Sequence, residues 1–76
     1  MRTIEFNMER PGLLEVGEEV EISEGKLPST YYYTIEPSLA MSKNFRSYER
    51  LKSRKGVVTE ITQTLKGYHV MVDFEE

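Results

Sequence analysis

Hydrophobic and polar residues alternate most regularly near the C-terminal end of the chain. One set of alternate positions is apolar or aromatic, and the other is mostly polar. A period of two places the two sets on opposite faces of a β-strand, and β-branched and aromatic side chains suit such a strand. We therefore expect a strand over residues 67–75 that buries Tyr68, Val70, Val72 and Phe74 and turns His69, Met71, Asp73 and Glu75 the other way.

A second strand is predicted just before it, over residues 56–64, so that the two form a hairpin. They are joined by Leu65-Lys66-Gly67, and a glycine at the end of a three-residue loop can adopt the positive φ that such a loop requires. Alternation on this strand is less regular, because Val58 points away from its apolar neighbours unless a bulge near Gly56 changes the register. The opposite face carries Val57, Thr59 and Ile61.

Three further strands are predicted in the first half of the chain, over residues 2–8, 18–23 and 30–35. Each is bounded by glycine or proline, which mark turns. In the last of the three, Tyr32 would be exposed or would lie at a rim of the sheet. The residues expected to point inward are Ile4, Phe6, Met8, Val20, Ile22, Tyr31, Tyr33 and Ile35.

Residues 36–54 allow two interpretations. Spacing of apolar residues by three or four favours an amphipathic helix over most of residues 38–50, with basic residues on the other face. Pro37 suits the first turn of such a helix, but the many serines are poor residues for a helix interior. A long loop with one helical turn is the alternative. The apolar stripe of the helix would consist of Met41, Phe45, Tyr48 and Leu51.

Five short strands in 76 residues predict a mainly β protein, a small, partly open barrel. Leu13 and Leu14 are expected to seal one end of this barrel. We expect a single domain over residues 1–76, since a chain of this length supports one hydrophobic core.

Charge is distributed unevenly along the chain. Residues 43–55 contain six basic residues against Glu49 alone, a net charge of +5, which leaves −8 for the rest of a chain whose total is −3. Much of the negative charge lies in residues 5–24. The two segments either attract each other within the fold, or the basic segment meets an anionic partner.

Several kinds of chemistry find no support in the sequence. There is no cysteine, and the chain has one histidine and one aspartate, His69 and Asp73, which are too far apart on one strand to act as a catalytic pair. No metal-ligand spacing and no glycine-rich phosphate loop occurs. We therefore expect a non-catalytic protein without a metal or cofactor. The lack of cysteines and of a long apolar run is typical of a cytoplasmic protein.

Three segments carry a resemblance to a known family. They are Gly17–Ile22, Tyr48–Val58 and Tyr68–Glu75. In this order they resemble the small SH3-like barrels of the electron-transport-accessory type, which include the nitrile hydratase β-subunit barrel and a small accessory barrel of photosystem I. Those barrels continue past the last of these strands, and we expect strand 2–8 to take that place here. The resemblance implies an accessory or docking role, because the chemistry of these systems resides in partner subunits.

Two functions remain open. The first is a protein-binding module that docks onto a partner or onto itself. The second is an RNA- or DNA-binding barrel, in which basic residues would neutralise phosphates and an aromatic ring would stack on a base. The acidic overall balance favours the first, and no small-molecule substrate or membrane is expected. Either partner would be bound by Tyr32, Lys43, Arg46, Tyr48, Arg50, Lys52, Arg54 and Lys55.

Overall fold

Six antiparallel strands form a closed barrel in the computed structural model, which describes residues 1–76. Around the barrel their order is β1-β4-β3-β2-β5-β6. This confirms the predicted all-β barrel, with one strand more than expected and with the barrel closed. It is compatible with an SH3-like barrel. The strands are β1 Arg2–Met8, β2 Glu19–Lys26, β3 Tyr31–Ile35, β4 Ala40–Ser42, β5 Lys55–Thr64 and β6 Gly67–Phe74.

Strand β1 closes the barrel. It pairs along its whole length with β6, from Arg2 opposite Phe74 to Met8 opposite Tyr68, and its second half also pairs with β4. Its alternate residues Ile4, Phe6 and Met8 are buried, as their period of two predicts.

Of the two interpretations of residues 36–54, the helix over most of residues 38–50 is wrong, and the alternative, a long loop with one helical turn, is closer to the structure. Residues 36–39 form a turn that contains Pro37, and strand β4 follows. The only helical segment is a 3₁₀ turn at Ser47–Glu49, and it is too short to cross a membrane. The predicted apolar stripe splits in two, with Phe45 and Leu51 buried and Met41 and Tyr48 exposed.

A serine explains why β4 could form where a helix was expected. The Ser42 hydroxyl accepts a hydrogen bond from the Tyr33 backbone N–H at 2.9 Å and donates one to the Lys43 carbonyl at 2.8 Å. Serine favours such bonds to nearby backbone over a helix interior. The side chain is therefore satisfied although it is buried.

The hydrophobic core is one cluster. Leu14 belongs to it, whereas Leu13, which was expected to be buried with Leu14 at one end of the barrel, is 38% exposed. Phe6 and Phe74 pack with their ring centroids 6.4 Å apart. The 15 members are Ile4, Phe6, Met8, Leu14, Val20, Ile22, Tyr33, Ile35, Ala40, Phe45, Leu51, Val58, Val70, Val72 and Phe74.

The β5–β6 hairpin contains a bulge, but not at the expected place. The pairing register shifts between Val58 and Glu60, so Val58 and Ile61 lie opposite the inward residues Val72 and Val70. Val57 is consequently exposed. A bulge adds one residue to one strand, which is how two apolar residues from different faces of a regular strand come to share the inside.

The hairpin turn has two residues and not three, because Thr64 pairs directly with Gly67. Gly67 has a φ of 146°, which confirms the positive φ predicted for the glycine at the end of the loop. A Cβ atom built on Gly67 would lie 2.6 Å from the Met8 carbonyl oxygen. The position therefore excludes every side chain, including asparagine, because the neighbouring strand approaches too closely.

Candidate interaction surface

The basic segment 43–55 crosses the barrel between two buried anchors. Phe45 forms two backbone hydrogen bonds of 2.7 Å with Tyr31, and its ring packs 5.9 Å from that of Tyr33. Leu51 is 1% exposed. The residues between these anchors are thus held at both ends by the core.

Arg50 binds the acidic half of the chain. Its guanidinium donates two hydrogen bonds to the Glu24 carboxylate, at 2.9 Å from Nε and 2.7 Å from Nη2. It also lies over the Tyr31 ring, 4.7 Å from the centroid. A planar guanidinium suits both contacts, and a lysine could not make the paired bonds.

The Tyr33 hydroxyl connects this ion pair to the segment above it. It donates to Glu24 Oε2 at 3.0 Å and accepts from the Leu51 N–H at 2.6 Å. Burial raises the pKa of the Tyr33 hydroxyl above its ordinary value of 10.0, and the nearby Glu24 carboxylate adds to this effect. Tyr33 therefore stays protonated and keeps its donor.

The electrostatics of Glu24 follow from these contacts. The hydrogen bonds from Arg50 hold the pKa of the Glu24 carboxyl below its ordinary value of 4.5, although desolvation acts in the opposite direction. The same carboxylate raises the pKa of Arg50. Arg54 lies 3.6 Å from Glu24 and contributes less.

The basic segment is therefore partly neutralised within the fold. Besides Arg50 and Arg54, Lys55 lies 3.7 Å from Glu21, in a pair exposed on both sides. The uneven charge of the sequence is explained here by attraction between its acidic and basic segments. Lys43, Arg46 and Lys52 form no ion pair with any carboxylate.

Tyr48 is the most exposed aromatic residue, at 82%. It occupies the middle of the 3₁₀ turn, where the Glu49 N–H donates to the Arg46 carbonyl at 2.9 Å and the Glu49 carboxylate accepts from the Arg46 N–H at 3.2 Å. Arg2 donates to the Glu49 carbonyl. A shallow depression beside the ring is lined by Ser47, Tyr48, Arg50, Leu51, Lys52 and Arg54.

Tyr32, the remaining predicted site residue, lies apart from this group. Its ring lies on Gly25 of the neighbouring strand, since a Cβ atom there would fall 2.1 Å from the ring. It is only half-exposed, and its ring covers the backbone at Gly25, a residue that has no side chain of its own to cover it. Seven of the eight predicted residues thus share one segment, and Tyr32 packs across β2.

Sequence reasoning missed Glu24 and Tyr33 as the residues that organise this surface. From the sequence, Glu24 was counted only as part of the negative charge of residues 5–24, yet its side chain is only 12% exposed. The missed signal was its position, because Glu24 continues the inward series of Val20 and Ile22 by a period of two. A carboxylate on that face requires a partner.

The expectations about chemistry are unchanged. No group of three or more His, Cys, Asp or Glu side chains is arranged to hold a metal ion. Comparison of the chain with protein families, curated proteins and solved structures finds no significant match. The expectation of a non-catalytic protein without a cofactor stays a prediction.

Proposed function

We propose that this chain is a non-catalytic protein-binding module, an accessory barrel that docks onto an acidic surface of a protein partner. Tyr48 is the anchor of the contact. Lys52 lines the same depression and, with Lys43 and Arg46 of the same segment, supplies the positive charge. The observation that carries the proposal is the 82% exposure of Tyr48 on a turn held at both ends.

Preorganisation supports this role for Tyr48. The core residues Phe45 and Leu51 flank the turn, and Arg50 is fixed by Glu24. Aromatic residues are frequent energetic anchors of protein interfaces, and binding costs less when the anchor is already ordered.

Charge supports an acidic protein partner. The side-chain charges of Lys43, Arg46 and Lys52 form no ion pair within the chain, so they remain available to steer an acidic surface toward Tyr48. By contrast, Arg50, Arg54 and Lys55 are already engaged by Glu24 and Glu21. The chain as a whole carries a net charge of −3, whereas nucleic-acid-binding domains are commonly basic, which makes nucleic-acid binding the weaker alternative.

The finer family assignment belongs to the same proposal. A six-stranded barrel in which β1 pairs with β6 suits the expectation that the N-terminal strand completes an SH3-like barrel of the electron-transport-accessory type. Members of that group act beside larger subunits, which agrees with a docking role. A cytoplasmic location is part of this proposal.

The test is capture of partners from native lysate by immobilised wild-type protein and by two variants. Tyr48→Ala should weaken binding of the captured protein by about tenfold or more, since a central anchor contributes above about 1.4 kcal/mol. Val16→Ala is the matched control, because Val16 is another exposed hydrophobic residue, at 63%, outside the basic segment.

Nuclease treatment distinguishes the two candidate functions. Under the proposal, capture persists after nuclease, and no affinity for a generic oligonucleotide appears at low salt. Equal capture by Tyr48→Ala and Val16→Ala would contradict the role of Tyr48. Salt-sensitive oligonucleotide binding that is lost in Arg46→Ala would contradict protein binding and favour the nucleic-acid alternative.

A further inference from the structure

Strand β5 has an edge that the barrel does not use. β2 pairs with it only at Lys55, Gly56 and Val57, and two more backbone bonds join Val58 to Gly17 and Glu18. Beyond the bulge, residues 60–64 pair with β6 on one side and with no strand on the other. The second side of this five-residue stretch is therefore a free sheet edge.

The free edge presents backbone groups without partners. Thr64 and Gly67 flank the two-residue turn and are therefore a hydrogen-bonded pair, after which bonded and non-bonded pairs alternate along the strand. The N–H and C=O groups of Ile61 and Gln63 consequently point away from β6. No backbone bond outside the β5–β6 ladder involves residues 60–64.

The protection of this edge strand is limited to the bulge at one end and to one charged residue, Glu60. Between Glu60 and Thr64 there is no proline, lysine or arginine, and Thr62 and Gln63 are exposed. Natural proteins normally blunt such an edge with charge, proline or a covering segment, because an open edge pairs with other strands. An edge left open in this way is suited to strand addition.

We propose that this edge pairs with the same edge of a second copy of the chain, antiparallel, about a two-fold axis at Thr62. Ile61 of one copy then exchanges backbone hydrogen bonds with Gln63 of the other, and Gln63 with Ile61. These two residues carry the backbone groups that the monomer leaves open. The result is a sheet continuous through both barrels, joined at β5.

The charges of the segment favour a second copy as the occupant. In this register Glu60 lies opposite Thr64 of the other copy, so that no like charges face each other. Lys66 follows in the turn, so the segment of the other copy that meets Glu60 carries positive and not negative charge. In a two-fold symmetric contact, each favourable pair of residues also occurs twice, once from each copy.

The exposed turn adds to the same contact. Leu65 is fully exposed in the turn that ends β5. In the dimer this turn lies at the end of the joined strands, where contact with the second copy takes part of the Leu65 surface out of water. This contact is independent of the Tyr48 surface, because it uses a different segment of the chain.

The mass of the protein in solution tests the pairing. Sedimentation equilibrium from micromolar to millimolar concentration should show wild type approaching twice the monomer mass. Thr62→Lys and Thr62→Glu each place like charges together on the two-fold axis and should remain monomeric, whereas an equal mixture of the two should regain the dimer. Tyr48→Ala should dimerise like wild type.

Two results would overturn the proposal. One is a wild type that stays monomeric over the whole range, which would leave the edge to an extended segment of another protein. The other is a Thr62→Lys variant that dimerises as well as wild type. Thermal unfolding of each variant shows that its fold is retained, so that a monomeric variant is not merely a disordered one.

A cysteine on the axis gives a second test with a register-specific readout. The chain has no cysteine, and Thr62 opposite itself is a non-bonded pair, the closer kind, which suits a disulfide. Thr62→Cys should oxidise to a covalent dimer much faster than Asn7→Cys, whose residue is exposed on β1. Equal rates of crosslinking would contradict pairing through β5.

Discussion

Replacing Tyr33 by phenylalanine removes one hydroxyl from the contact between the barrel and the basic segment. The ring is fully buried and would stay, so that no cavity arises in the core. The hydroxyl accepts from the Leu51 N–H at 2.6 Å and donates to Glu24 at 3.0 Å. Both partners lose a hydrogen bond in Tyr33→Phe.

The cost can be worked from those two bonds. A buried N–H without a partner costs about 1–3 kcal/mol, and a hydrogen bond to a charged group contributes about 1.5–3 kcal/mol. Glu24 keeps its bonds to Arg50, which offsets part of the loss. We expect Tyr33→Phe to lower the free energy of unfolding by about 2–4 kcal/mol, a large share of the stability of a domain this small.

Urea denaturation followed by circular dichroism measures this difference. The transition midpoint should fall while its slope stays unchanged, since the surface exposed on unfolding is the same. Tyr31→Phe is the matched control, because the Tyr31 hydroxyl makes no hydrogen bond and its ring would keep the contact with Arg50. It should cost less than about 0.5 kcal/mol. If the two variants unfold at the same midpoint, the Tyr33 hydroxyl does not stabilise the contact between the barrel and the basic segment.

Three further predictions follow from the barrel and its charges. Phe74→Ala should lower the free energy of unfolding by about 3–5 kcal/mol in the same assay, and unchanged melting behaviour would refute the packing of β6. Gly67→Asn should destabilise far more than Gly12→Asn, because a Cβ atom meets the Met8 carbonyl at the first position and nothing within 4 Å at the second; equal costs would contradict this. Folding lowers the pKa of the Glu24 carboxyl below its ordinary value of 4.5. At pH values above 4.5 the ionised carboxylate therefore stabilises the folded state. The stability difference between wild type and Glu24→Gln should therefore be largest at neutral pH and shrink as pH falls below about 4.5; a difference independent of pH would show that the carboxylate is not held.

The sequence by itself determined the strands whose side chains alternate. Residues 2–8 and 67–75 have a period of two, and a period of two admits one assignment of faces once one face is buried. The burial of Val70, Val72 and Phe74 followed from it, as did a glycine turn before them. The local pattern was sufficient because, in these strands, the position of a side chain in the alternation decides which face of the sheet it lies on.

Only the tertiary structure decided residues 36–54. Spacing by three and four favoured a helix there, but Phe45 and Leu51 are buried through contacts with Tyr33, a residue distant in sequence that the local spacing does not reveal. The partners of Glu24 are 26 residues away at Arg50 and 9 away at Tyr33. Those distant contacts decide which basic residues form ion pairs and which lie beside Tyr48.

The position of the bulge was decided in the same way. The sequence required a bulge in β5 to bring Val58 inside, but the alternation near Gly56 did not locate it. Pairing with β6 shifts between Val58 and Glu60, because Ile61 must also face Val70. A bulge forms where it places the apolar residues of two paired strands on the same face. Its position therefore depends on both strands together and not on either sequence alone.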